Sequence, residues 1–440
     1  MIFTRIKVGM KELVILGNSP AGFACLQTLR REGFQGRVVF VPGDGEYPYR
    51  RGVLPDVLAK AVPVEQSYCA PVSCYETLNA QVCVQKIARV SFKRQRLTME
   101  DKEVLPFDYC LIDEYGWLAP EDIKGASRNG FLFINRLDHI KAALKQLPCV
   151  DTVLIQADSW NGMRMAGALS AWDKEVIWIS SQDRVLSSFV EPEISVKIAE
   201  ILEKKGIRVL LGNSITEVLG DSDVKAARLQ SGKILGAQMI LLESQLPDYR
   251  LFKDTELFVN GAFSAARGKG VSVSPNIFMI GRGEGLVSVQ AASYNSCDDF
   301  LQAQGEAVAS FILQKDVPSQ PVVPRAEISW PGFQLSLLGH TAPHPGPTDE
   351  VYLRSDEATG SYQKFYVREG VLSGAVLMNA DLSRYQALSL LSSRQTLSEA
   401  YLQNQGFQRQ SPSVQLSDRV FLEDSGCSEC VQPYENAQNS

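Results

Sequence analysis

Apolar residues in the first half of the chain fall into short unbroken runs, separated by stretches of helical spacing. Leu13-Val14-Ile15-Leu16 contains no turn former, which predicts a strand buried on both faces. Gly17-Asn18-Ser19-Pro20-Ala21-Gly22 follows. Ala21, Ala24, Cys25, Leu26 and Leu29 then recur at helical spacing up to Gly33, and a second run, Val38-Val39-Phe40-Val41, leads to Asp44. The pattern reads as strand, tight glycine turn, helix, strand, carboxylate, the order of a dinucleotide-binding unit. Gly17 permits the turn and Gly22 lets the helix lie close on the sheet. The helix start, with Ser19, Pro20 and Ala21 around it, is a candidate pyrophosphate site: a helix N-terminus offers free backbone N–H groups and a partial positive charge. Asp44 is placed to accept from a ribose hydroxyl, and Ser19 stands where the pattern has its middle glycine. The alternative is a turn with a purely structural role.

The pattern recurs. Phe107-Asp108-Tyr109-Cys110-Leu111-Ile112 predicts a buried strand, and Ile140, Ala143, Leu144 and Leu147 mark one face of an amphipathic helix. Val153-Leu154-Ile155 opens a second strand–turn–helix–strand unit that continues to Glu175-Val176-Ile177-Trp178-Ile179. A helix over 193–205 and strands over 207–211 and 239–242 follow. Between the units, residues 82–105 predict short antiparallel strands at the edge of the first domain. After a proline-containing linker (315–324), the runs at 333–339, 351–353, 362–367 and 371–377 read as strands, with Glu369-Gly370 as a tight hairpin turn and helical spacing over 382–402.

Composition narrows the function. The 440 residues suffice for two or three domains, and 45% hydrophobic content supports an ample core. A net charge of −6 argues against nucleic acid as the main partner. No apolar run approaches the ~18 residues of a membrane span, and residues 1–11 are too charged for a signal peptide. Nine scattered cysteines suit a reducing cytoplasm, and three histidines leave little for a metal site. Cys69 and Cys74 read as packing residues. Cys427-Ser428-Glu429-Cys430 lies in a polar tail from about residue 403; as a single pair it is either a redox or shared metal motif or incidental.

The segment Glu46-Tyr47-Pro48-Tyr49-Arg50-Arg51-Gly52-Val53-Leu54-Pro55 resembles the PYxRPxL segment that follows the FAD-binding unit of NADH–rubredoxin reductases. The flavin module of the nitrite reductase large subunit is similar. Residues 270–282 resemble a later signature of the same family, and Tyr362-x-Lys364 with 370–377 resembles its C-terminal interface domain. The chain thus resembles the FAD-dependent pyridine nucleotide-disulfide oxidoreductases from about residue 12 to about 402.

The resemblance implies an α/β fold of two Rossmann-like dinucleotide-binding domains, the second inserted in the first, plus a C-terminal α+β interface domain. The expected division is 1–117 with 245–316 for FAD, 118–244 for a degenerate NAD-binding-like domain, 325–402 for the interface domain and 403–440 for the tail. It implies FAD at Gly17, Ser19, Pro20, Ala21, Gly22, Asp44, Arg51, Gly281 and Arg282, with Arg51 near the flavin. Four places depart from the family. Asp113-Glu114-Tyr115 replaces an Ala-Thr-Gly strand end. Ala157 and Ser159 replace turn glycines, with Asp158 between them and Trp160 adding bulk. Ser180 replaces a ribose-binding acid, and Arg282 replaces an aspartate, with the FAD pyrophosphate, Asp113 and Glu114 as its candidate partners. No residue qualifies as a catalytic acid or base. The expected function is an FAD-dependent relay of electrons between a donor and a redox protein partner or subunit, in a homo- or hetero-oligomer, without efficient NAD(P)H use. The alternative is a structural or regulatory subunit with weak or no cofactor binding.

Overall fold

The apolar runs become the interior strands of two parallel sheets in the computed structural model, which describes residues 11–113, 123–243, 250–255, 257–259, 262–263, 272–280, 298–316, 323, 325–330, 332–339, 341, 349–356 and 358–410. The chain runs β1 (Glu12–Leu16), α1 (Pro20–Arg31), β2 (Arg37–Val41), α2 (Leu54–Leu58), α3 (Val72–Thr77) and β3 (Ala80–Val82). An antiparallel meander of β4 (Ile87–Ser91), β5 (Arg96–Met99) and β6 (Val104–Pro106) leads to β7 (Tyr109–Asp113). The first sheet places β1 between β2 and β7, both parallel to it. The meander was legible in the apolar spacing, but Ala80–Val82 is a parallel edge strand of the main sheet beside β2.

The same plan then repeats. β8 (Phe131–Phe133), α4 (Leu137–Gln146), β9 (Thr152–Gln156), α5 (Trp160–Ser170), β10 (Glu175–Ile179), α6 (Pro192–Lys204) and β11 (Ile207–Leu210) precede a second meander, β12 (Ile215–Gly220), β13 (Val224–Leu229) and β14 (Ile234–Gly236), and then β15 (Met239–Leu242). The second sheet is all parallel, in the order β11-β10-β9-β15-β8, with β9 between β10 and β15. After a two-stranded hairpin, β16 (Phe258–Val259) and β17 (Ala262–Phe263), the chain returns to the first sheet. There β18 (Ser272–Ser274) and β19 (Ile277–Ile280) add at the edge beyond β7. The second unit is therefore inserted in the first. In each sheet the connections diverge to either side of β1 or β9, and the crevice this opens at the carboxyl ends is where such folds bind ligands.

α7 (Asp298–Ile312) packs directly on α1. A Cβ on Gly305 would lie 2.0 Å from the Ala21 carbonyl oxygen, so no larger residue fits there. The C-terminal part forms one antiparallel sheet of β20 (Arg325–Trp330), β21 (Phe333–Gly339), β22 (Asp349–Asp356), β23 (Ser361–Arg368) and β24 (Val371–Met378), with α8 (Asp381–Ser393) and α9 (Glu399–Asn404) following. Glu369 and Gly370 join β23 to β24 with φ of 53° and 75°, the two positive values that a two-residue hairpin turn requires. Regular structure goes further along the chain than its polarity suggests. Gln408–Gln410 forms β25 on the edge of β22, within the stretch expected to be tail. Gly281, Arg282, Glu114, Tyr115, Cys427 and Cys430 lie outside the described residues. Among the described residues, no helix is long and apolar enough to cross a membrane.

Candidate functional site

The first crevice is built at the end of β1. Gly17 has φ +132° and packs under the side chain of Asp113, whose Cβ would stand 2.7 Å from any Cβ placed there. Ser19 caps α1, and its hydroxyl accepts from the Ala21 amide at 3.2 Å. The Ser19 amide itself donates to Asp113 Oδ2 at 2.7 Å, a charge-assisted bond in a fully buried place. Pro20 has no N–H to offer. Gly22 sits where a Cβ would approach Ile15 and Phe40 at 3.0 and 3.1 Å, so the helix rests on the sheet as its sequence position suggests.

Asp44 lies at the end of β2 with partners from its own chain. Its Oδ1 accepts from Asn18 Nδ2 (2.7 Å) and the Glu46 amide (3.0 Å), and its Oδ2 accepts from the Tyr49 hydroxyl (2.8 Å). Tyr49 is wholly buried, and burial raises its hydroxyl pKa, so it stays a proton donor to Asp44. Asn18 turns its other amide atom to Arg51, whose Nη2 donates to Asn18 Oδ1 at 2.9 Å. The Arg51 guanidinium lies over the Tyr49 ring, 4.5 Å from its centre. Its Nε and Nη1 are buried without a hydrogen-bond partner. The structure thus brings together Gly17, Ser19, Pro20, Ala21, Gly22, Asp44 and Arg51 around one turn.

Cys69, Arg50 and Asp298 border the same region. Burial, with the Asp298 charge adding to it, pushes the Cys69 thiol up to about 12, so it is not a thiolate at neutral pH. Cys69 and Cys74 are both free thiols. Asp298, at the start of α7, is itself raised to about 6 by burial, against the opposing charge of Arg50.

The second crevice has the same construction with different contents. In register, Leu16 pairs with Ile112 and Gln156 with Leu242. The next residues along are Gly17 opposite Asp113 and Ala157 opposite Glu243, so the two carboxylates hold equivalent positions. Glu243 is buried and accepts from the hydroxyl of Ser159, the residue that caps α5. The Ser159 hydroxyl in turn accepts from the Gly162 amide at 3.2 Å. Asp158 reaches across to the end of β10, where Ser180 Oγ (2.5 Å), the Ser181 amide (3.0 Å) and the Ser181 hydroxyl all donate to it. Trp160 is buried and donates from Nε1 to the Glu327 carbonyl of the C-terminal sheet at 3.1 Å.

The role of Glu243 escaped the sequence reading. Its signal was available, because it stands one place beyond an apolar strand, as Asp113 ends one. A further cleft of about 540 Å³ lies among α2, α5, β20 and α8. Its charges are matched within the chain, Arg164 with Asp56 at 2.9 Å and Arg384 with Glu327 at 2.7 Å.

Two Rossmann-type units, one inserted in the other and followed by an antiparallel sheet, define the two-dinucleotide class of oxidoreductase fold. The chain matches the pyridine nucleotide-disulphide oxidoreductase family over residues 11–294 and belongs to it. The family comprises FAD-dependent oxidoreductases that exchange electrons with pyridine nucleotides. The ferredoxin reductase component of chlorobenzene dioxygenase from Cupriavidus sp. (strain PS12) is 22% identical over 402 residues, covering 89% of this chain and 94% of the relative. An NADH oxidase from Methanocaldococcus jannaschii is 21% identical over 280 residues, 61% of this chain and 62% of that one. In fold, the chain resembles putidaredoxin reductase from its covalent complex with putidaredoxin, with a TM-score of 0.75, 18% identity, and coverage of 89% and 95% of the two chains. A ferredoxin reductase from Rhodopseudomonas palustris gives a TM-score of 0.73, 18% identity, and coverage of 90% and 99%.

The family implies FAD at the first unit and a nicotinamide nucleotide at the second. At the first, the unpartnered nitrogens of Arg51 fit an anionic group beside the turn, while Asp113 holds the Ser19 amide that such a group would use. At the second, the carboxylates of Glu243 and Asp158 face the turn and the next strand end, and among the described residues they accept from hydroxyls and an amide. That donor set does not fit a pyrophosphate and a ribose.

Proposed function

We propose that this chain is an FAD-dependent oxidoreductase that relays electrons between a donor other than NAD(P)H and a redox protein partner. In this reading residues 1–117 with 245–316 hold the flavin, with Gly17, Ser19, Pro20, Ala21, Gly22, Asp44, Arg51, Gly281 and Arg282 at the cofactor. Residues 118–244 serve as a scaffold, and the sheet after residue 325 is the docking side. The observation that carries the proposal is Arg51. A buried guanidinium with two unsatisfied nitrogens is costly unless something anionic completes it, and Asn18 ties it to the turn where a dinucleotide's phosphates belong. FAD supplies the electron-carrying chemistry; the chain binds and orients it. Support for a redox protein partner comes from the relatives matched along nearly their whole length, several of which are ferredoxin reductases by name.

The test has two parts. The purified protein should show flavin absorbance, or acquire it on reconstitution, and Arg51→Met should weaken FAD binding at least tenfold. Anaerobic mixing with micromolar NADH or NADPH should leave that flavin oxidised. A colourless protein that cannot be reconstituted defeats the first part, and rapid bleaching defeats the second. A second reading, a structural or regulatory subunit without cofactor, is favoured by one observation: Asp44 and the Ser19 amide are both satisfied by the chain's own groups.

A further inference from the structure

We infer that Asp113 is a built-in competitor for the first dinucleotide site, its carboxylate standing on the Ser19 amide where a dinucleotide phosphate would be held. The inference deepens the reading of the first unit as the FAD site and rests on it.

Three observations support it. First, the contact is specific. Asp113 is wholly buried, its Oδ2 lies 2.7 Å from the Ser19 nitrogen, and Gly17 has given up its side chain to let Asp113 lie there. A helix start with its peptide dipoles behind it favours one anion at that point. A carboxylate already holding the amide and a phosphate arriving at it are like charges in one low-dielectric place, so they exclude each other. Second, the device occurs twice. Glu243 holds the equivalent register position in the second unit and is bonded to the equivalent residue, Ser159. The extra methylene of glutamate carries its carboxylate to the serine hydroxyl, whereas aspartate stops at the amide. Two units of unlike sequence each set a carboxylate on the cap serine, one on its amide and one on its hydroxyl, and in both the chain itself supplies a partner at the turn. Third, the first unit retains a cation beside the turn. Arg51, nine-tenths buried, has two nitrogens without partners and is linked to the turn through Asn18. The first site therefore holds both a competitor and a cation able to receive an anion. FAD binding there is an exchange in which Asp113 leaves the amide and a phosphate takes its place.

The inference predicts that removing the carboxylate tightens FAD binding. The experiment is a titration of the full-length apoprotein with FAD, read by quenching of flavin fluorescence and by the FAD-induced shift in melting temperature. The proteins compared are wild type, Asp113→Asn and Asp113→Gly. Asn keeps the size and the acceptor oxygen while removing the charge, so it guards against a glycine variant that fails to fold. The expected result is at least tenfold tighter FAD binding in Asp113→Asn and a further gain in Asp113→Gly.

The outcomes separate the inference from the reading beneath it. If wild type binds FAD and both variants bind no more tightly, the inference is wrong and the flavin reading stands. If wild type does not bind FAD and the variants acquire binding, the competitor is real and the wild-type flavin reading fails. If no form binds FAD, the inference and the reading are both overturned.

Discussion

The two Rossmann units share one backbone plan and satisfy its turn in different ways. In the first, glycine occupies the turn's first position at φ +132° because Asp113 covers it. In the second, Ala157 occupies that position without a positive φ, and the space it needs comes from Gly162, where a Cβ would stand 2.2 Å from the Ala157 Cβ. The first unit keeps a cation, Arg51, within reach of the turn. The second sets Asp158 against Ser180 and Ser181 and buries Trp160 against the C-terminal sheet. The difference separates fold from function. Strand, turn and helix survive wherever the turn's polar groups find partners, whether those partners come from a ligand or from the chain. In the first unit the turn is bordered by Arg51, whose buried Nε and Nη1 have no hydrogen-bond partner in the chain.

The largest expected effect tests the first position of the turn. Gly17→Ala adds a side chain at positive φ and against Asp113, and should destabilise the protein by ~2–4 kcal/mol. Ala157→Gly, at the equivalent place, should cost about 1 kcal/mol or less. Urea denaturation of the two variants measures both. Equal losses would mean that the two turns are packed alike, contrary to the geometry.

The caps come next. Ser159→Ala removes a helix cap and also the hydroxyl that donates to buried Glu243, so about 2 kcal/mol is expected. Ser19→Ala removes only the cap, because Asp113 bonds to the backbone amide and keeps its donor; about 1 kcal/mol is expected. If the Ser19 variant proves the weaker, the assignment of hydroxyl to one carboxylate and amide to the other is wrong. Arg282 offers a related check. If it pairs with Asp113, as its place in the sequence suggests, Arg282→Ala should cost on the order of 1–3 kcal/mol. Adding Asp113→Asn should then recover part of that loss, whereas simple additivity would rule the pairing out.

Much of this was legible in the sequence, and what was not has a physical reason. The buried strands show as apolar runs because parallel strands are covered on both faces. The hairpin at Glu369-Gly370 shows because few residues accept two successive positive φ values. Asp113 and Asp158 show in the sequence as departures from the family pattern, which is half of the picture. The other half is a bond to a partner, and for Asp113 that partner, Ser19, lies 94 residues away. No local pattern reports such a contact. Glu243 lies 84 residues from Ser159, so its place after an apolar strand was legible but its partner was not. The meander of β12 to β14 was missed because its strands alternate weakly, with several exposed or half-buried positions in each.

The smallest expected effect concerns charge at the edge of the first site. Asp298 starts α7, and its pKa is raised to about 6, chiefly by burial, with Asp299 adding repulsion and Arg50 opposing. Its ordinary value is 3.8. Because the folded value is the higher one, the folded state binds the proton more tightly. The ionised group therefore costs nothing below about pH 4, costs progressively more as pH rises toward 6, and costs a constant amount above that. Asp298 is partly exposed, and solvent screening reduces the cost to about 1 kcal/mol. Asp298→Asn should accordingly raise the melting temperature at pH 7 to 8 and leave it unchanged near pH 4. A gain of the same size at both pH values would show that the effect comes from packing or the helix start. A loss at pH 7 would show that the carboxylate is held by Arg50 as a stabilising pair, and that the charges bordering the first turn are balanced before any ligand arrives.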